Sequence, residues 1–281
     1  MKRLMIIIIT FIFTVTLAGC NTPKKNEQAQ KSKEKNIVQQ EPKEEKREIF
    51  SLDGLDTASI GWGIKKNENA PPEVPGYIQD MISKYNGYYI GDTNSKKLYL
   101  TFDEGYENGY TPQILDILKE NNVKAAFFVT GAYVDREEKL VKRMVREGHI
   151  VGNHSVNHPS LPSISDDEME KELTQLDEKV KQITGQKMIY VRPPRGEYSE
   201  RVLAHLSNMG YITVFWSFAY LDWDITMQRG GEYAYNQIMP YINGGAILLL
   251  HAVSSDNAQA LDRVIKEAKS AGYKFCTLDE L

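Results

Sequence analysis

From Leu98 to the C-terminus, apolar runs short enough for strands alternate with longer stretches of helical periodicity. That alternation restricts the chain more than any other feature. Strands are predicted at Leu98–Phe102, Ala125–Thr130, His149–Gly152, Met188–Val191, Tyr211–Trp216, Ala246–Leu250 and Tyr273–Cys276. Helices are predicted between them at Pro112–Asn121, Glu137–Glu147 and Asp256–Ala271, each with apolar residues recurring on one face, and at Glu232–Tyr241. The clearest helix follows Ser165, which forms a capping box with Glu168. Met169, Leu173, Leu176, Val180 and Ile183 then recur at spacings of four and three, and Gly185 stops it. Ser199 caps another helix, carrying Val202, Leu203, Leu206 and Met209 and ended by Gly210. Repeated strand–helix units of this kind predict a parallel sheet. The expected fold class is α/β: a distorted (β/α) barrel of about seven parallel strands, with a doubly wound open sheet as the alternative.

In a parallel barrel all strand C-termini share one face, where such folds build active sites. Polar residues gather at those positions here. Asp103 and Glu104 follow the first strand, His154-Ser-Val-Asn-His158 the third and Arg192-Pro-Pro-Arg-Gly196 the fourth. Asp222-Trp223 lies just beyond the fifth, and His251 directly follows the sixth. Taken alone, the acid pair is also what a strand end facing water would show. Beside His154 and His158, which one turn of chain brings to the same side, it suggests a divalent metal. Two imidazoles and a carboxylate leave coordination positions open for water and substrate. Hydrolysis of an amide or ester then needs a base for the water and an acid for the leaving group. Asp103 is the candidate base, with Arg192 to keep it ionised. His251 is the candidate acid, with Asp222 to keep it protonated. Trp216 and Trp223 can line a sugar-sized pocket, or serve as ordinary packing.

The N-terminal third has a different character. Lys2 and Arg3 precede an apolar stretch from Leu4 to Thr16, and Leu17-Ala18-Gly19 precedes Cys20. This pattern predicts a lipoprotein signal over residues 1–19 with lipid carried on Cys20, rather than a plain secretory signal or an uncleaved anchor. Residues 21–48 are Lys, Glu, Gln and Asn with almost no large apolar side chains, too polar to bury a core. They are expected to be a disordered tether with an end-to-end distance of roughly 30 Å. Residues 49–96 contain Trp62, Ile78, Met81, Ile82 and Tyr85, broken by prolines, and are expected to pack on the main domain as an extension. Two cysteines in 281 residues exclude a disulfide framework, and a net charge of −4 gives no reason to expect nucleic acid as a partner. The mature protein is expected outside the cytoplasm, lipid-anchored at a membrane surface and monomeric.

These motifs resemble the polysaccharide deacetylases, carbohydrate esterase family 4, which carry the NodB homology domain. The resemblance spans residues 97–281. Thr101-Phe-Asp-Glu-Gly105 is similar to the family's first motif, in which the first Asp is the base and the second binds metal. The two histidines, Arg192, Asp222-Trp223 and Leu249-Leu-His251 match the second to fifth motifs, the last placing Leu249 at the substrate. The resemblance implies one divalent ion, zinc foremost, held by Glu104, His154 and His158. Several positions depart from the pattern: Glu104 for Asp, Ala219 for Asp, Arg195 for Tyr and Ala252 for Asp. With Gly-Tyr-Glu-Asn-Gly-Tyr at 105–110, they are similar to the delta-lactam-biosynthetic de-N-acetylase branch. That branch implies peptidoglycan strands as partner and peptide-free N-acetylmuramic acid as substrate. The freed amine could then close to the muramic δ-lactam of spore cortex. Arg195 is suited to hold the sugar's free carboxylate, or else to pair with Glu197. Alternatives are deacetylation of N-acetylglucosamine or another acetylated polysaccharide, and a non-catalytic glycan-binding lipoprotein.

Overall fold

The computed structural model describes residues 48–281. The predicted signal, Cys20 and nearly all of the tether lie outside them. Eight parallel strands form the main sheet: β1 (Gly87–Tyr88), β2 (Lys97–Glu104), β3 (Ala126–Val129), β4 (Ile150–Asn153), β5 (Tyr190–Val191), β6 (Ile212–Val214), β7 (Ile247–His251) and β8 (Lys274–Cys276). Their order is β7-β2-β3-β4-β5-β6-β1, with β8 also on β2. The two ends of this path meet. Ile90 bridges Ala246, and Phe218, beyond β6, bridges Leu248. The sheet is therefore curled into the expected distorted barrel. All seven predicted strands are present. The eighth, β1, comes from the 49–96 segment, so that segment supplies a stave as well as a cover.

The helices are α1 (Gly76–Lys84), α2 (Thr111–Glu120), α3 (Gly131–Arg136), α4 (Glu138–Arg146), α5 (Asp166–Thr184), α6 (Glu200–Asn208), α7 (Gly231–Ile238) and α8 (Ser255–Ser270). Helix α5 has the capping box of Ser165 and Glu168, and Gly185 at φ 76° ends it. That is a left-handed backbone glycine adopts without steric cost. The short α3 is not evident from periodicity. It starts at Thr130, whose hydroxyl accepts from the Tyr133 amide, and six residues are too few for a repeating stripe. Among the described residues, no helix is long and apolar enough to cross a membrane.

Two cores result. Leu98, Leu100 and Phe102 of β2 pack outward against α2 and α8 side chains such as Ile114, Leu118, Leu261 and Val264. Tyr99 faces the other way, with Ala126, Phe128, Tyr190, Val214 and Ile247 inside the barrel. Side chains of a strand alternate between faces. Even-numbered residues of β2 thus belong to the helical layer and odd-numbered ones to the barrel interior.

Candidate active site

The odd-numbered face of β2 ends in Thr101 and Asp103, both buried. Arg192, at the end of β5, reaches into the barrel beside them and is itself fully buried. Its Nη1 donates to Asp103 Oδ1 at 2.7 Å, and Nη2 donates to Thr101 Oγ1 at 2.9 Å and to Phe215 O at 3.2 Å. Nε donates to Val214 O at 2.9 Å, and the guanidinium lies 4.2 Å from the Phe128 ring centre. Burial alone would raise the Asp103 pKa. The positive charge of Arg192, helped by His154 and His251, outweighs it and holds the carboxyl below its ordinary value.

His251 ends β7 at the register position opposite Asp103. Its Nδ1 donates to Asp222 Oδ1 at 2.7 Å, and its backbone N–H donates to Asp222 Oδ2 at 2.7 Å. Burial opposes charge on the ring, yet the attraction and hydrogen bond of Asp222 prevail and raise the His251 pKa. One carboxylate on this face is kept ionised while one imidazole is biased towards its protonated form. That is the division needed for a base and an acid in one site.

The two histidines of the second motif come together on a loop, not a helix. Ser155 and His158 have φ of 63° and 56°, and the Ser155 hydroxyl accepts from the His158 amide at 2.9 Å. His154 Nε2 and His158 Nε2 are 3.2 Å apart, close to the roughly 3.3 Å separating two nitrogens on one tetrahedral zinc at 2.0–2.1 Å. His154 Nδ1 faces Arg192 O at 2.8 Å. A carbonyl only accepts, so Nδ1 carries the proton and Nε2 presents its lone pair to the cleft. Burial lowers the pKa of both rings, that of His158 to about 4, which leaves them neutral. Asp103 Oδ2 lies 3.5 Å from His154 Nε2. Two nitrogen donors with one carboxylate beside them suit a divalent ion.

Glu104 is not brought to these histidines. Strand β2 continues through Glu104, which pairs with Val129 of β3, so its side chain takes the face of Leu98, Leu100 and Phe102. It is fully buried, and neither carboxylate oxygen has a hydrogen-bond partner. Burial first, and then the charges of Glu107 and Asp103, raise its pKa well above the carboxylate range. Among the described residues, no three His, Cys, Asp or Glu side chains gather closely enough to enclose an ion by themselves.

Asp103, His154, His158 and His251 line a cleft of about 780 Å³. Arg195, Trp216, Trp223 and Leu249 line it too. Trp223 is 57% exposed at the rim and Leu249 is buried at 4%. Arg195 is exposed and no ion pair joins it to Glu197 among the described residues. Its backbone is left-handed at φ 59°, which costs a non-glycine residue on the order of 1–2 kcal/mol. The cleft is thus apolar along its walls and ionic at its floor.

Residues 90–214 match the family model described as polysaccharide deacetylase. The peptidoglycan-N-acetylmuramic acid deacetylase PdaA of Bacillus subtilis is 49% identical over 224 residues, which are 79% of this chain and 85% of that protein. The chain belongs to the polysaccharide deacetylase family. An uncharacterised 30.6 kDa protein of Geobacillus stearothermophilus is 53% identical over 79% of this chain and 84% of its own length. The solved structure of Bacillus subtilis PdaA, a family 4 carbohydrate esterase, superposes with a TM-score of 0.79 at 47% identity, covering 81% of this chain and 98% of that one. The shared fold, over 81% of this chain, thus extends well beyond the matched 90–214 segment.

Three residues support the site without having been singled out in the sequence. Thr101 accepts from Arg192 and its own hydroxyl donates to Leu248 O at 2.8 Å. Asn257, on α8 and buried, donates to Asp222 Oδ2 at 2.6 Å and to His251 O at 3.1 Å. Tyr220 donates to Asn257 Oδ1 at 2.5 Å. Together they immobilise the two charged pairs. The Thr of the Thr-Phe-Asp motif was visible as strand-forming. Nothing local marks Asn257, because an Asn near a helix start is ordinarily a cap.

Proposed function

We propose that this protein hydrolyses the acetamide of N-acetylmuramic acid in peptidoglycan from which the stem peptide has been removed. One observation carries the reading. The Asp103–Arg192 and His251–Asp222 pairs stand at one register of adjacent strands, beside two neutral histidines, in a sugar-sized cleft. The 49% identity to a relative named as a peptidoglycan-N-acetylmuramic acid deacetylase supports the assignment of the sugar. Asp103, kept ionised, accepts the proton of the attacking water. His251, kept protonated, donates to the nitrogen of the leaving amine. Leu249 offers an apolar surface to the acetyl methyl, and Trp216 and Trp223 offer flat walls to the sugar. Arg195 provides a two-pronged donor for the lactyl carboxylate, which a peptide-linked muramic acid lacks as a free group. His154 and His158 would hold a divalent ion, with zinc first expected, and such an ion would acidify its bound water and polarise the acetyl carbonyl. The freed amine is then available for δ-lactam closure, as in spore cortex. The signal pattern ending at Cys20 supports a lipid-anchored protein acting outside the cytoplasm.

The test is acetate release and product mass spectrometry on amidase-treated peptidoglycan, with and without chelator. Loss of acetyl from muramic acid, abolished by chelator, is expected. Acetate released only from N-acetylglucosamine residues would overturn the substrate assignment.

A further inference from the structure

The segment ahead of the barrel is built into the wall of the cleft. Ile60–Gly61 is a short strand paired antiparallel with Glu197–Tyr198, Ile60 opposite Tyr198 and Gly61 opposite Glu197. The next amide, that of Trp62, donates to Gly196 O at 2.8 Å. The indole Nε1 of the same residue donates to Trp216 O at 3.0 Å. Its ring stacks on Phe215 with centres 4.8 Å apart and planes 27° apart, and the side chain is 8% exposed. One residue therefore ties together the strand-end segments that carry Arg195 and Trp216.

Those segments need holding. Arg195 and Gly196 are consecutive left-handed residues, at φ 59° and 67°. Such a backbone persists at a non-glycine residue only where its surroundings over-determine it. A Cβ on Gly196 would meet the Trp216 ring at 2.8 Å and Trp62 Cβ at 3.1 Å. The turn is thus packed against the Trp216 ring and the Trp62 Cβ. Between β5 and α6, the Ile60–Gly61 strand and the Trp62 amide hold it from outside the barrel.

We propose that Trp62, with the Ile60–Gly61 strand, is a positioning element that sets Arg195 and the Trp216 wall for a sugar carrying a free carboxylate. The role in selection rests on the function proposed above, whereas the clamp itself does not. In the clamp, backbone pairing fixes the turn and the indole fixes the wall. Loss of Trp62 should therefore weaken recognition of the substrate more than the proton transfers at Asp103 and His251.

Full-length Trp62→Ala and Trp62→Phe are compared with the unaltered protein by hydrogen exchange and by kinetics. In Trp62→Ala, amides at 195–198 should exchange faster while those of 98–104 keep their protection. On amidase-treated glycan, kcat/KM should fall roughly tenfold through KM, the worth of one hydrogen bond and one aromatic contact. Activity on an N-acetylglucosamine oligomer should fall less. Trp62→Phe keeps the stack and loses the Nε1 bond, so it should lie between. Unchanged exchange at 195–198, or equal losses on both glycans, overturns the proposal, and so does faster exchange with unaltered discrimination. An unaltered protein that leaves the peptide-free glycan intact refutes the proposed function instead, and the exchange data then decide the clamp alone.

Discussion

Asp103 and Glu104 are neighbours on one strand, both carboxylic acids and both buried, and they have opposite fates. Asp103 faces the barrel interior, where Arg192 meets it at 2.7 Å and holds its pKa down. Glu104 faces the helical layer, where no donor reaches either oxygen and burial drives its pKa up. The difference is not in the acids but in the side of the sheet. Inside a barrel, residues from several strand ends converge and a guanidinium can be supplied from β5. The outer face packs against apolar helix side chains, and among the described residues none of its groups donates to Glu104. A buried charge without a partner is costly, so the second acid keeps its proton.

The comparison breaks most visibly in catalysis. Asp103→Asn should reduce kcat by roughly 10²- to 10⁴-fold, the range for removing a general base, while Glu104→Gln keeps most of it. Equal losses in the two, measured as acetate release, would mean that Glu104 reaches the reacting atoms after all. A metal titration of Glu104→Gln sharpens the same point, with unchanged affinity expected.

The partnered acid has a counterpart in Asp222, which extends the comparison to pH. Asp222 raises the His251 pKa above its ordinary 6.5. The protonated ring is the competent form, so activity is retained below that raised pKa and falls as pH climbs through it. In Asp222→Asn the alkaline limb of the kcat profile should move to lower pH. The acid limb, set by Asp103, should stay. An alkaline limb that does not move would separate Asp222 from the acid's titration.

Stability gives the smallest effect. Glu104→Met removes an unsatisfied buried carboxyl while keeping a similar shape. It should leave the denaturant midpoint unchanged or raise stability by up to about 1–3 kcal/mol. A clear loss of stability would show that the carboxyl has a partner, such as a bound water or ion.

The architecture was readable because its signals are local. Short apolar runs, helix stripes, the Ser165–Glu168 box and Gly185 each act within a few residues. The convergence of Asp103, His154, Arg192, Asp222 and His251 followed from one topological rule for parallel strands. Even the position of Glu104 was partly readable, since it has the parity of Leu98, Leu100 and Phe102. What parity could not supply is where the strand stops. A strand ending at Phe102 would have left Glu104 free to turn towards the histidines, whereas pairing with Val129 carries β2 one residue past Asp103.

By itself the sequence determined the order of strands and helices and the set of polar groups at the strand ends, because hydrophobic period and turn chemistry are properties of neighbouring residues. Only the tertiary structure decided that Asn257 steadies Asp222, that residues 87–88 complete the barrel, and that Trp62 reaches Gly196 and Trp216. Each of these joins positions 35 to more than 130 residues apart. Such contacts depend on how the sheet curls and closes, and no local pattern encodes that.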